Sequence, residues 1–217
     1  MKAVLWDLDD TILDTLPGRM EALKHAYEEC VGGWVDPLEL WKSHRGGSLE
    51  ALGQRLVGND YRRFAETYRK RYYSLPRPAV VFPGVRAVLD ELDAAGIMLG
   101  IVTSKISWGA TEELERAGVL HLFRTVVGCD DTDRAKPDPE PIFEAMRRIV
   151  VDDVEDVVFV GDSPADMFAA RNAGCTGIAA TWGTLDLEWL MDSAPAHVAH
   201  EPAAVLDFVR ETVGGLR

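Results

Sequence analysis

The stretch that decides the fold is Ala3-Val4-Leu5-Trp6-Asp7-Leu8-Asp9-Asp10-Thr11, in which four apolar residues lead directly into carboxylates. A short apolar run predicts a buried strand, and ligands of open α/β sheets bind outside the carboxyl ends of such strands. Side chains at i and i+2 of an extended segment point the same way, so we expect Asp7 and Asp9 on one side. Carboxylates aimed at one point repel each other. The stretch therefore predicts a metal site, a nucleophile beside an acid, or both.

Three further segments give this pair its context, because paired aspartates alone are also common in turns and helix caps. A second apolar run, Ile97–Val102, ends in Thr103-Ser104-Lys105. Lys136-Pro137 stands where we predict a loop to meet a helix. A third run, Val157–Val160, leads into Gly161-Asp162-Ser163-Pro164-Ala165-Asp166.

In this order the four segments resemble the motifs of the haloacid dehalogenase superfamily, which are DxDxT, a strand-end Ser or Thr, a Lys, and GDxxxD. The resemblance covers essentially the whole chain and is strongest for the phosphoglycolate phosphatase-like group. It rests on Val102–Lys105, on the K-P-D-P-E-P segment Lys136–Pro141, and on the stretch from Val160 to Gly174. It implies a Mg²⁺-dependent phosphatase that works through an aspartyl-phosphate.

The resemblance assigns distinct roles to the two aspartates of the pair. Asp7 stands at the position of the nucleophile, and Asp9 at that of the acid/base that protonates the leaving alcohol and later activates water. The superfamily's dehalogenases lack this second aspartate, because a halide leaves without a proton, so Asp9 favours phosphate esters. Asp10 replaces the glycine that is usual in the phosphatases, and Asp tolerates unusual backbone angles better than most residues.

The remaining motifs are implied to bind the phosphate and a metal. The Thr103 hydroxyl, the Ser104 backbone N–H and Lys136 would contact the phosphate, and Lys136 would also stabilise charge on the nucleophile. Oxygen ligands suit magnesium, and the ligands implied here are Asp7, the backbone carbonyl of Asp9, and Asp162. Asp166 could bind the metal through water or cap the next helix, and the sequence leaves both readings open.

The composition of the chain limits the classes of molecule that it is expected to bind. A formal net charge of −13 argues against nucleic acid and anionic membranes, and no apolar run approaches the roughly 18 residues that a membrane span needs. We expect no signal peptide, because the first strand begins almost at once. The three cysteines are scattered and odd in number, which is typical of buried cytosolic thiols rather than of a disulfide or zinc framework. We expect a cytoplasmic enzyme acting on a small phosphorylated metabolite, with its oligomeric state left open.

Periodicity predicts two domains. Four amphipathic helices without a strand fill residues 15–80, whereas strands and helices alternate through 81–217. Alternation implies a parallel sheet covered on both faces. We therefore predict a Rossmann-like three-layer α/β core, formed by residues 1–14 and 81–217, with an inserted α-helical cap domain at 15–80. The cap would supply substrate selectivity, since the motif residues all lie outside it.

Two questions stay open at this stage. One concerns function, because a phosphosugar mutase of the β-phosphoglucomutase kind, or a non-catalytic phosphometabolite-binding protein, would share the same core. The other concerns Arg45, in the loop Arg45-Gly46-Gly47, which would bind a substrate carboxylate or phosphate or would simply form a turn.

Overall fold

The computed structural model describes residues 1–44, 48–75 and 79–214. In these residues the strands are β1 (Ala3–Trp6), β2 (Leu13–Asp14), β3 (Val80–Val81), β4 (Met98–Val102), β5 (Phe123–Val127), β6 (Val157–Gly161), β7 (Thr176–Ala180) and β8 (His197–Ala199). The helices are α1 (Leu16–Cys30), α2 (Pro37–His44), α3 (Leu49–Val57), α4 (Tyr61–Ser74), α5 (Val85–Ala94), α6 (Ser107–Arg116), α7 (Glu140–Ile149), α8 (Pro164–Ala173), α9 (Leu187–Asp192) and α10 (Pro202–Val213). None of these helices combines the length and apolarity needed to cross a membrane.

Six strands form one parallel sheet in the order β5-β4-β1-β6-β7-β8. The first strand of the chain lies in the middle, and later strands are added first on one side and then on the other. This is the order of the doubly wound dinucleotide-binding fold, whose ligands bind where the direction of winding reverses. The predicted Rossmann-like α/β core is confirmed, and the reversal lies between β1 and β6.

Alternate residues of β1 supply the cores of two different layers. Val4 and Trp6 pack on one face of the sheet, against apolar side chains of α5, α6 and α10. Ala3 and Leu5 pack on the other face, against side chains of α7 and α8. All four β1 residues are fully buried. Helices therefore cover both faces, and the strand that carries the carboxylates is held at the centre of a three-layer sandwich.

The described residues of Met1–Asp14 and Ala79–Arg217 make one compact unit, and those of Thr15–Pro78 make a second. The second unit contains α1–α4, whose shared core comprises Leu23, Ala26, Leu52 and Phe64. Ser48 caps the start of α3, since its hydroxyl accepts a hydrogen bond from the Ala51 N–H. The two units meet between residues 14 and 15 and between residues 78 and 79, close to the bounds of the cap domain at 15–80 that the sequence predicts.

The sequence pattern missed four short elements, β2, β3, α9 and β8. Strands β2 and β3 are two residues each and pair antiparallel, Leu13 with Val81 and Asp14 with Val80. They join the two points at which the chain leaves and re-enters the first unit. All four segments are too short to show a detectable hydrophobic periodicity. The three strands among them are also defined by pairing with residues far apart in the chain.

Candidate active site

The first carboxylate is placed by the sheet itself. Trp6 at the end of β1 pairs in register with Val160 of β6. The next backbone N–H, that of Asp7, donates to the Val160 carbonyl at 2.8 Å, which extends the ladder by one residue. Asp7 therefore stands at the carboxyl edge of the sheet, at the point where the strand order reverses.

Three carboxylates converge at this edge. The ligand oxygens of Asp7, Asp162 and Asp166 all lie within 4.8 Å of one another. Asp7 and Asp166 are buried, and Asp162 is half-buried. They come from the ends of β1 and β6 and from the first turn of α8, so the parallel sheet brings together residues that are more than 150 positions apart in sequence.

Lys136 lies between two of these carboxylates. Its Nζ donates to Asp7 Oδ1 at 2.7 Å, to Asp166 Oδ1 at 2.6 Å and to the Val102 carbonyl at 3.2 Å. Burial alone would lower the pKa of Lys136, but the charges of Asp166 and Asp7 outweigh it and hold the pKa above its ordinary value. Lys136 is therefore a buried cation, and its three hydrogen-bond acceptors fix the orientation of its ammonium group.

The remaining negative charge of the cluster exceeds what one lysine neutralises. Burial raises the pKa of Asp7 to about 7, with Lys136 opposing the rise and Asp166 adding to it. Burial, followed by the charges of Asp10 and Asp7, raises the pKa of Asp162 well above its usual range. Hard divalent cations prefer carboxylate and carbonyl oxygens. The all-oxygen donor set and its excess charge therefore fit such an ion.

Asp9 belongs to a second ionic group and not to the carboxylate cluster. Its Oδ1 accepts a hydrogen bond of 2.8 Å from Lys105 Nζ, and the same ammonium is bonded to Glu113 Oε2 on α6. Burial would lower the pKa of Lys105, but Asp9 and Glu113 outweigh it and the pKa is raised. The two aspartates of the DxD stretch are thus bonded to two different lysines.

Thr103 and Ser104 follow β4 at the same edge of the sheet. Thr103 is buried, and its N–H donates to the Val127 carbonyl at 2.9 Å, so the backbone is tied to β5. Its Oγ1 accepts a bond of 3.1 Å from the Lys105 N–H. A hydroxyl accepts and donates simultaneously, so this bond leaves the Thr103 proton available to a ligand. Ser104 is half-buried in the turn that follows.

Asp166 combines two functions through its two oxygens. Oδ2 accepts from the Ser163 N–H at 3.0 Å and from its hydroxyl at 2.6 Å, which completes a capping box at the start of α8. Oδ1 accepts from Lys136. The helix-cap geometry is therefore present, and the same side chain orients the buried lysine. A Cβ on Gly161 would lie 2.4 Å from Asp166 Cγ, so this packing requires glycine there.

The loop after β1 is fixed by contacts from the segment that follows β7. Asp10 has a positive φ of 63°, in agreement with the tolerance expected of Asp. The Trp182 indole N–H donates to the Thr11 carbonyl at 2.9 Å. A Cβ on Gly183 would lie 1.9 Å from the Asp10 carbonyl oxygen, so the backbones touch directly. These contacts hold the DxD loop in one conformation.

The structure thus places Asp7, Lys136 and Asp162 together, with Asp9 and Thr103 linked through a second lysine. Arg45 lies outside the described residues. Sequence reasoning missed Lys105 and Glu113 as site residues, and it assigned Asp166 no contact with Lys136. Lys105 ends the motif segment Val102–Lys105, but its role was not recognised there, because ion pairs between residues 96 positions apart leave no local pattern.

The sequence resembles those of known proteins over most of its length. The model of the haloacid dehalogenase-like hydrolases matches residues 4–180. A phosphoglycolate phosphatase of Neisseria meningitidis is 30% identical over 219 residues, with 90% of this chain and 91% of the relative covered. A protein of Clostridium perfringens that carries the provisional name pyrophosphatase PpaX is 30% identical over 212 residues, with 97% of this chain and 98% of the relative covered.

The fold is shared with solved structures. The crystal structure of a predicted phosphoglycolate phosphatase from Haemophilus somnus has a TM-score of 0.87 to this chain. The two sequences are 24% identical, and the match covers 96% of this chain and 98% of the other. At this level of identity the likeness shows the fold.

Proposed function

Because the chain belongs to the haloacid dehalogenase-like hydrolase family, we propose that it is a Mg²⁺-dependent phosphatase that hydrolyses a small phosphorylated metabolite through an aspartyl-phosphate on Asp7. The observation that carries the proposal is the bond from buried Lys136 to Asp7 within a carboxylate cluster at the reversal point of the sheet. The phosphoglycolate phosphatases and the pyrophosphatase among its relatives support phosphate as the group transferred.

In the first half-reaction the Asp7 carboxylate attacks phosphorus. A bond forms between its oxygen and phosphorus while the bond from phosphorus to the leaving oxygen breaks. Asp9, as the carboxylic acid, gives its proton to that leaving oxygen and becomes a carboxylate. The products are a free alcohol and the aspartyl-phosphate.

In the second half-reaction Asp9 reverses its role. Its carboxylate takes a proton from a water molecule as the water oxygen attacks phosphorus, and the bond between phosphorus and Asp7 breaks. Inorganic phosphate leaves, Asp7 is again a carboxylate, and Asp9 again carries its proton. The cycle therefore balances without any further reactant.

Lys136 and Thr103 support both steps. The Lys136 ammonium stays protonated because of its two carboxylate partners, so it offsets charge on Asp7 and on the transferring phosphoryl group. The Thr103 hydroxyl and the Ser104 N–H would hydrogen-bond phosphoryl oxygens. Asp7, Asp162 and the Asp9 carbonyl would hold Mg²⁺, which when bound offsets the charge of the phosphoryl oxygens.

The substrate is best tested directly. A screen of phosphorylated metabolites with Mg²⁺, scored by kcat/KM, should place phosphoglycolate or another small monoester first, with pyrophosphate included because of the named relative. Failure to release phosphate from every ester, under conditions in which a relative is active, would favour the non-catalytic alternative. Isomerisation that depends on a sugar bisphosphate would favour the mutase.

The proposed function also includes a source of substrate selectivity and a cellular location. The catalytic residues named above all fall in the first unit, so we assign substrate selectivity to the helical unit Thr15–Pro78. Arg45 remains the sequence-based candidate there. We propose a cytoplasmic location because the three cysteines, Cys30, Cys129 and Cys175, are scattered through the chain and odd in number.

A further inference from the structure

A chain of two ion pairs connects Asp9 to the interior of the first unit. Lys105 Nζ lies 2.8 Å from Asp9 Oδ1 and also bonds Glu113 Oε2. The exposed fractions of the side chains are 16% for Asp9, 12% for Lys105 and 5% for Glu113. The chain therefore runs from the site into the core, and Glu113 is too deeply buried to meet a substrate.

The set Asp9, Lys105 and Glu113 has the same arrangement of aspartate, lysine and second carboxylate as the set around the nucleophile. Asp7 is bonded to Lys136, and Lys136 is held by the fully buried Asp166 in the first turn of a helix. Asp9 is bonded to Lys105, and Lys105 is held by Glu113 on α6. Each aspartate of the DxD stretch thus has its own lysine, and each lysine is held by a second, deeper carboxylate.

We propose that Lys105 and Glu113 are positioning residues that fix the Asp9 carboxyl group for proton transfer to the leaving oxygen. The inference rests on the acid role of Asp9 in the proposed function. A misplacement of about 1 Å in such a group costs roughly a hundredfold in rate. Lys105 acts through Asp9, and the proton that moves to the leaving oxygen is the one that Asp9 carries as the acid.

Two features make Lys105 suited to this role. Ordering a long lysine side chain costs conformational entropy, which a single bond to Asp9 would have to offset. The second bond, to the buried Glu113 carboxylate, helps to offset this cost and so holds the ammonium in place. Its backbone N–H bonds Thr103 Oγ1 at 3.1 Å, so the main chain at this point is tied to the end of β4. Through Lys105, Asp9 is therefore connected to Thr103, the residue that follows β4 and that the proposed function assigns to phosphate binding.

The alternative is that Lys105 binds the substrate phosphate directly. Its ammonium is already bonded to Asp9 and to Glu113, so contact with a phosphate would require it to share or give up one of these bonds. The two roles differ kinetically. A phosphate-binding lysine acts on all phosphate esters alike, whereas a residue that positions the acid matters most when the leaving oxygen needs a proton.

The test compares phenyl phosphate with p-nitrophenyl phosphate, which are similar in size but differ in how much their leaving groups need protonation. With saturating Mg²⁺, Lys105→Met should lower kcat/KM at least about tenfold more for phenyl phosphate than for p-nitrophenyl phosphate. Asp9→Asn should show the same discrimination, and adding Lys105→Met to it should cause little further loss. Equal losses on both esters, or a raised KM with unchanged kcat, would overturn the inference.

Glu113→Gln guards against a folding defect in the first variant. It keeps Lys105 and should discriminate between the two esters in the same direction, with a smaller loss. The matched control is Glu112→Gln, whose side chain pairs with Arg116 on the surface of the same helix and should leave both rates unchanged. If Asp9→Asn fails to discriminate, the acid role itself is wrong and the inference falls with it. If Asp9→Asn discriminates but both Lys105→Met and Glu113→Gln do not, only the inference is wrong.

Discussion

The hydroxyl of Thr11 donates a hydrogen bond of 2.9 Å to Asp162 Oδ1, although the two residues lie 151 positions apart. Thr11 closes the DxDxT motif, and Asp162 belongs to the GDxxxD motif. The bond stabilises the ionised form of Asp162 against the burial and the neighbouring charges that raise its pKa. The two motifs are therefore joined by a hydrogen bond, and the first stabilises the charged form of the second.

Removing this bond should weaken metal binding. A hydrogen bond to a charged group contributes about 1.5–3 kcal/mol, so Thr11→Val should raise the Mg²⁺ concentration for half-maximal activity roughly tenfold or more. Thr11→Ser keeps the hydroxyl and should stay close to wild type. A Mg²⁺ titration of phosphatase activity measures both variants, and an unchanged titration midpoint in Thr11→Val would exclude this role for the hydroxyl.

The nucleophile should be indispensable to turnover but not to folding. Asp7→Asn should abolish phosphatase activity while leaving the circular dichroism spectrum intact, because the amide cannot form the aspartyl-phosphate. Beryllium fluoride, an analogue of the phosphoryl group, should bond to Asp7 in the wild-type protein only. The exposed Asp14 provides the control, since Asp14→Asn should retain full activity. Near-wild-type turnover by Asp7→Asn would disprove the assignment.

Acidic groups at the site should make the metal-free protein less stable as the pH rises. Asp7 and Asp162 have pKa values raised above that of an unfolded chain, 3.8, and for Asp7 the value is about 7. Between about pH 4 and pH 7 the folded state therefore binds more protons than the unfolded state, and raising the pH favours unfolding. Asp162→Asn should be more stable than wild type at pH 7.5 in the absence of metal.

Urea denaturation with EDTA at pH 5 and pH 7.5 measures this effect. The stability difference between wild type and Asp162→Asn should grow with pH, and added Mg²⁺ should stabilise wild type far more than the variant. A difference that does not depend on pH would show that the carboxyl group of Asp162 is not destabilised by its surroundings.

Gly161 should tolerate no side chain. A Cβ there would lie 2.4 Å from Asp166 Cγ, so Gly161→Ala would push away the carboxylate that orients Lys136. We expect a fall of at least about tenfold in kcat, with the distortion confined to the start of α8. Equal activity of Gly161→Ala and wild type would show that the Asp166 contact is dispensable.

One position outside the site should be improvable. Val150 ends α7 with a φ of 60°, a conformation that a β-branched residue adopts at a cost of about 1–2 kcal/mol. Its side chain is 79% exposed, so little packing would be lost on its removal. Val150→Gly should raise the free energy of unfolding by about 1 kcal/mol, or Tm by roughly 2–4 °C.

The same substitution at Val213 tests the reason for this gain. Val213 is the last helical residue of α10, and glycine is less stable than other residues at a helical φ. Val213→Gly should therefore lower Tm. A decrease in Tm for Val150→Gly as well would indicate that the left-handed conformation costs valine nothing at this position.

Local patterns in the sequence determined the alternation of strands and helices, the four-helix insertion, and the positions of Asp7, Thr103, Lys136 and Asp162 at the ends of elements. These features depend on residues within one turn or one strand of each other, since periodicity, caps and breakers act over that distance. The glycine-to-aspartate change at Asp10 was also interpretable, because its backbone preference is a local property.

Only the tertiary structure decided which lysine is bonded to which aspartate. The bonds from Lys136 to Asp7 and from Lys105 to Asp9 join residues 129 and 96 positions apart. A charged side chain in the sequence has many available partners, and its choice is made by strand order and register, which bring distant strand ends to one edge. From the sequence, Glu113 is indistinguishable from the other polar residues of an amphipathic helix. In the structure the packing of α6 buries it against Lys105, and such burial is decided only when the layers assemble.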